Sequence, residues 1–241
     1  MNFKPSTATA LLAASLCTSA IATDGLCQST LNAMGMPAVR VYIGPNKLKV
    51  TNEKTSQEIT QVVKAAGSKF DAAIGMTLYS NQFSLTPSVQ AIEHPSGYGS
   101  CFRQELEVNL AAQDTEVNIA KEYPKGRCGY QAILDHEMLH VDAYESFLRY
   151  LAREIESKFT QRYERSADFS LSSGWAEHQT PKEPDQDIAQ FIAKEFTKLE
   201  QIQGDIDSLE VNNRLFSDLN QCENVKTAVV KSGRKPKPSV P

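Results

Sequence analysis

The chain has 241 residues and a formal net charge of −4. That length suits one domain with a sizeable core, and the mild acidity gives no reason to expect nucleic acid as a partner. No stretch is apolar enough over a sufficient length to span a membrane, so the expectation is a protein that is not membrane-spanning.

At the N-terminus, Lys4 precedes an uncharged run of Ala, Leu, Ser and Thr over residues 8–21, and Ala20 and Ala22 put small residues at the −3 and −1 positions. This is the pattern of a secretory signal peptide, residues 1–22, cleaved after Ala22. The expected localisation is therefore exported. Of the five cysteines, Cys17 lies in that peptide, and Cys27, Cys101, Cys128 and Cys222 remain. An even number in an exported chain reads as two disulfides, and four cysteines allow three pairings. Local geometry favours Cys101 with Cys128, either side of an expected hairpin, which leaves Cys27 for Cys222. The wide spacings, with no C-x-x-C, argue against a cysteine metal site.

Residues 38–42, AVRVY, alternate and are rich in β-branched side chains, which predicts a strand. Residues 55–66 place Ile59, Val62 and Val63 at helical spacing with Gly67 just beyond, which predicts a short amphipathic helix. Residues 72–92 suggest two modest strands around a Ser80-Asn81 turn. In residues 101–128, Phe102, Leu106, Val108 and Leu110 share one face of a first strand. Val117 and Ile119 mark a second strand across a turn at residues 112–114, so a β-hairpin is expected. His94 reads as an exposed loop residue.

A long helix follows. Ile133, Tyr144, Phe147, Leu148, Leu151, Ile155 and Phe159 form one stripe, and His136 and His140 fall on the same stripe, so both face the interior. Residues 166–185 turn to Ser, Gly, Pro and charge and read as a loop or lid. A second long amphipathic helix is expected from Asp187, burying Ile188, Ile192, Phe196, Leu199, Ile202, Ile206 and Leu209, with a possible bend at Gly204. The organisation is one domain over residues 23–225 and a flexible basic tail, residues 226–241.

His136-Glu137-Met138-Leu139-His140 is H-E-x-x-H. Residues four apart on a helix lie one above the other, so both imidazoles reach one zinc ion while the glutamate takes the proton of an attacking water. Glu137 is then the general base. Two buried imidazoles without a metal or another partner are costly, which counts against an incidental pair.

The strand, the turn EYPKGRCGY and the helix AILDHEMLHVDAYESFLRYLAREI resemble the strand and active-site helix of the zincins. More narrowly, they resemble the predicted secreted bacterial zinc-dependent proteases of the DUF922 group. The resemblance covers residues 101–222 and implies a periplasmic or extracellular zinc metallopeptidase acting on a peptide or protein. It also implies that an extended substrate is added as another strand along the outer arm of the hairpin, residues 115–120. Residues 212–222, NNRLFSDLNQC, lack the histidine that the narrower group carries near its end.

A metzincin extension is ruled out, because Ala143 and Ser146 stand where its Gly and His would be. Glu145 lies on the opposite side of the helix, and Glu154 is too far along it. An antiparallel partner helix of equal rise brings residues 209–214 beside His140, which makes Glu210 the preferred third ligand, with His178 and Asp218 as alternatives. Tyr144, one turn beyond His140, is a candidate to stabilise an oxyanion. The expected fold is α+β and zincin-like, a small mixed or antiparallel sheet with an active-site helix and a long partner helix. The rival readings are a metal-stabilised binding or scaffold protein without turnover and an amidase of cell-wall peptides. A closed sphere of four protein ligands would mark the first.

Overall fold

The computed structural model of the chain describes residues 25–67, 72–79, 82–111, 114–170, 182 and 186–232. The expected signal peptide, His178 and most of the expected lid lie outside them. In chain order the elements are α1 (Gly25–Ala33), β1 (Val39–Ile43), β2 (Lys49–Thr51), α2 (Ser56–Ala65), β3 (Gly75–Leu78), β4 (Gln82–Glu93), β5 (Ser100–Ala111), β6 (Glu116–Ile119), α3 (Cys128–Glu164), β7 (Asp168–Ser170), α4 (Gln186–Ile206) and α5 (Leu209–Ser232). This is a mixed α+β architecture with two small mixed sheets. Among the described residues no helix is long and apolar enough to cross a membrane.

The first sheet is built on β5. Antiparallel β4 occupies one edge from Ser100 to Ala111, while parallel β1 and antiparallel β7 share the other, at Leu106 to Leu110 and Ser100 to Phe102. The second sheet has the order β2-β6-β3, with β2 parallel and β3 antiparallel to β6. The expected hairpin therefore does not form, because β5 and β6 belong to different sheets. Alternation in each arm set which face is buried but not which strand lies alongside. It follows that β6 has neighbours on both sides, so residues 115–120 offer no edge to an added strand.

α3 joins the two sheets. At 1.5 Å per residue its 37 residues span roughly 55 Å. Its first half packs Tyr130, Ile133 and Val141 on Val117 and Ile119 of the second sheet. Its second half packs Tyr144, Leu148, Leu151 and Ile155 on Leu106, Val108 and Leu110 of the first, together with Ile188, Ile192 and Leu199 of α4. Each fully buried aliphatic side chain contributes roughly 1.5–3 kcal/mol, so α3 is held along its length rather than at one end. α4 runs antiparallel to it, as four pairs show: Arg162 with Asp187, Phe159 with Phe191, Phe147 with Phe196, and His140 with Gln203.

The partner helix is not continuous through Leu209. It ends at Ile206, and α5 begins at Leu209 after a break at Asp207 and Ser208. α5 then runs to Ser232, into the segment expected to be a flexible tail. At the other end of the chain, α2 begins as its sequence suggests. Thr55 and Glu58 form a reciprocal capping box, and Gly67 ends the segment at φ 93, where a side chain would be strained.

The disulfides are Cys27–Cys101 and Cys128–Cys222. This overturns the expected pairing, which rested on the hairpin that does not form. Cys101 opens β5 while Cys128 opens α3, so the two lie in different parts of the fold. Cys27–Cys101 ties α1 to the first sheet, and Cys128–Cys222 ties α5 to the start of α3.

Candidate metal centre

Three elements meet in the first half of α3. The helix presents His136, Glu137 and His140, all buried. β3 lies on one side, and on the other the last turn of α4 and the break after it bring Gln203 and Asp207. His136 Nε2 and His140 Nε2 lie 3.4 and 3.2 Å from the same oxygen, Oδ1 of Asp207. The three candidate ligand atoms all lie within 4.8 Å of one another.

Gln203 sets the state of His140. Its Nε2 donates to the His140 backbone carbonyl at 3.2 Å, which fixes the orientation of the amide, so its Oε1 must accept from His140 Nδ1. The Nδ1 proton is thereby assigned, and in the neutral ring the lone pair is on Nε2, aimed at Asp207. A lone pair and a carboxylate oxygen at 3.2 Å repel unless a positive charge lies between them. That charge is a proton or a metal ion.

In the metal-free protein the proton serves. Burial works against a charged His140, but hydrogen bonding and charge from Asp207, with Glu137 and Gln203 assisting, raise its pKa above the ordinary histidine value. Burial likewise works against an ionised Asp207, and the hydrogen bonds and charges of His136 and His140 hold its carboxyl well below the usual carboxylate range.

Glu137 faces β3. Thr77 Oγ1 donates to its Oε2 at 2.8 Å and lies 3.2 Å from its backbone oxygen. Burial pushes the Glu137 carboxyl above the usual range, against the opposing pull of His140, the Thr77 hydroxyl and His136. Gly75 makes room for it, since a Cβ there would collide with Glu137 Oε1 and come within 2.8 Å of Ile133 Cγ2. A strand residue without a side chain is thus required where the carboxylate approaches the backbone.

Tyr144 is fully buried one turn beyond His140, its ring stacked on Tyr79 at 4.7 Å. Burial raises the Tyr144 hydroxyl. Tyr79 is pushed up to about 12, first by burial and then by the charges of Glu200, Tyr144 and Asp207. Both phenols are therefore neutral at ordinary pH and able to donate.

The structure brings His136, Glu137 and His140 together with Asp207, while Tyr144 lies one turn further along α3, in the core against Tyr79. Glu210 lies in the first turn of α5, three positions after Asp207, and its side chain is outside the described residues. Asp218 is exposed on α5 and does not join the group. Glu145 accepts from Asn46 and pairs with Arg149, away from the histidines as expected. His94, expected to be exposed, is buried at the end of β4 beside the Cys27–Cys101 disulfide. Asp207, Gln203, Thr77 and Tyr79 were not singled out by sequence reasoning. The first of them had a signal: Asp and Ser are helix-start residues, and Asp207-Ser208 marks the break that turns the carboxylate towards α3.

Comparison with protein-family models, curated proteins and solved structures finds no match for the chain.

Proposed function

We propose that the chain is an exported, zincin-like metallohydrolase that cleaves peptide bonds, with zinc held by His136, His140 and Asp207. The observation that carries this is the convergence of two imidazole nitrogens and a carboxylate oxygen within 4.8 Å, where His140 Nε2 and Asp207 Oδ1 face each other and need a proton or a metal ion between them. Two histidines and a carboxylate match the donor chemistry of catalytic zinc sites, which use three protein ligands and keep a fourth position open. Among the described residues no fourth His, Cys, Asp or Glu joins the group, which favours turnover over a closed structural site.

When bound, the ion supplies the Lewis acidity that polarises a scissile carbonyl and makes water nucleophilic near neutral pH. The rest is done by this chain. Gln203 orients His140 through Nδ1 and fixes its tautomer. Glu137 accepts the proton of the attacking water on its carboxylate and passes it to the leaving amine. Burial raises its carboxyl above the usual range, so it takes up a proton more readily than an exposed glutamate, and the Thr77 hydroxyl holds one of its oxygens. The neutral phenols of Tyr79 and Tyr144 are candidates to donate to negative charge developing on the carbonyl oxygen.

A peptide is accommodated along β3 rather than β6. Among the described residues β3 is paired only on the β6 side, and it carries Thr77 beside Glu137, so a chain added at its outer edge passes the reacting residues. The reading is tested by incubating the zinc-loaded protein with a proteome-derived peptide library and identifying new termini by mass spectrometry. Cleavage that is abolished by Glu137→Gln, with zinc content unchanged, supports it. A library left intact by the wild type, or cleaved equally by the variant, counts against it.

A further inference from the structure

A second group of donors lies at the end of the first sheet where β5 begins. Cys27 and Cys101 are fully buried, and His94 is 8% exposed. One ligand atom from each lies within 4.8 Å of the other two. They come from separate elements: Cys27 from the first turn of α1, His94 from the end of β4, and Cys101 from the start of β5. His94 Nδ1 lies 2.6 Å from Ser96 Oγ and 3.2 Å from Ser96 N, and the imidazole meets the Phe169 ring of β7 edge to face, so the ring is fixed from two sides. In the tautomer whose Nδ1–H donates to Ser96 Oγ, Nε2 carries the lone pair that ligates an ion. Leu31, Ala167 and Ile92 close an apolar shell around the sulfurs.

In the oxidised chain the sulfurs are joined. We propose that the bond masks a thiophilic metal site, and that its reduction releases a Cys₂His donor set for a soft or borderline cation such as Zn²⁺ or Cu⁺. Reduction by an external phosphine or dithiol delivers two electrons and, with two protons, converts the disulfide to the Cys27 and Cys101 thiols. The phosphine leaves as its oxide, with oxygen from water, or the dithiol leaves as its own disulfide. Binding of the ion then releases both thiol protons to solvent.

Three considerations support a cation there. Metal–sulfur and metal–nitrogen bonds of about 2.3 and 2.0–2.1 Å place neighbouring tetrahedral donors roughly 3.5–3.8 Å apart. The Cα atoms of Cys27 and Cys101 are 5.2 Å apart, so rotation about the Cα–Cβ bonds can part the released sulfurs towards that separation. Cys27 in the first turn of a nine-residue helix is favoured as a thiolate by the backbone N–H groups there. Finally, two thiolates released into this apolar shell carry uncompensated charge that a divalent ion neutralises. The other disulfide, Cys128–Cys222, has no such third donor among the described residues.

The test uses cobalt(II), because thiolate ligation produces a near-ultraviolet charge-transfer band that a His₂Asp site does not. The full chain, with disulfides intact or reduced by a phosphine, is titrated with cobalt(II) and its stoichiometry measured. Reduction is expected to add one ion per chain together with the thiolate band. Cys27→Ser should abolish the band, and His94→Ala should weaken the added ion at least tenfold. Because the readout is the increment on reduction, it holds whether or not the His136 site binds cobalt. No added ion, a band that persists in Cys27→Ser, or a reduced chain that unfolds with cobalt present each overturns the proposal. As a check on folding, zinc should slow alkylation of Cys27 and Cys101 in the reduced wild type. Equal alkylation rates with and without zinc also overturn it.

Discussion

Asp207→Asn keeps the size of the side chain and removes its charge, so it separates the metal-binding role of the carboxylate from its role in the metal-free protein. In the zinc-bound protein, loss of a charged ligand should cost at least as much as loss of an outer partner, which is about 10- to 100-fold in affinity, or roughly 1.4–2.8 kcal/mol. In the metal-free protein the effect depends on pH. The His140 pKa is raised on folding, so its contribution is complete below about 6.5 and is lost as pH rises through the folded value. The Asp207 pKa is lowered, so its contribution is complete above about 3.9 and is lost as pH falls through the folded value. The pair therefore stabilises most between about pH 4 and 6.5. The Asp207 side chain is 38% exposed, and solvent screening limits the effect to about 1 kcal/mol or less. Chelator competition at pH 7.5 and urea melts of the apo protein at pH 5.5 and 9 measure the two effects. A variant with wild-type zinc affinity would show that the carboxylate is not a ligand, and one destabilised more at pH 9 than at pH 5.5 would show that it does not pair with a protonated His140.

Gln203→Leu removes both hydrogen bonds to His140 and should weaken zinc about 10- to 100-fold without changing the stoichiometry, read by the same competition. Gly75→Ala forces a methyl group onto Glu137 Oε1 and should destabilise the fold by about 1–3 kcal/mol in urea, whereas an unchanged midpoint would mean that β3 has more room than its backbone shows. Cys222→Ser opens a bridge spanning 94 residues and should cost about 2–5 kcal/mol in equilibrium unfolding, consistent with its pinning α5 to α3. Because His140 holds a proton above its ordinary value, zinc uptake near pH 7 should release protons. Calorimetry in buffers of different ionisation enthalpy measures that release, and binding below pH 6 should weaken steeply.

What was legible in the sequence was mostly local. The H-E-x-x-H spacing and the apolar stripe through Tyr144, Phe147 and Leu151 place both histidines on the buried face of α3, and the structure puts them there. The antiparallel partner helix was also legible, since Ile188, Ile192, Phe196 and Leu199 repeat at helical spacing and all four are buried, although Ile202, expected on the same face, is exposed and Ile206 only half-buried. What failed was pairing across distance. The alternating residues of β5 and β6 read as two arms of one hairpin, yet Val108 faces Leu85 of β4 and Val41 of β1, while Val117 faces Thr77 of β3 and Val50 of β2. The disulfide expectation failed with it. Equal rise along two straight helices pointed to residues 209–214, but α4 stops at Ile206, and the break at Asp207 delivers a carboxylate before that stretch is reached.

The proposed activity depends on one zinc ion held by His136, His140 and Asp207. The most direct test is the zinc content of the purified protein, equilibrated with zinc at pH 7.5 with disulfides intact and then freed of loosely bound metal. About one zinc per chain is expected in the wild type and in Glu137→Gln, little in Asp207→Ala, and none in His140→Ala. A wild-type chain that retains no zinc, or a His140→Ala chain that retains it fully, would contradict that assignment.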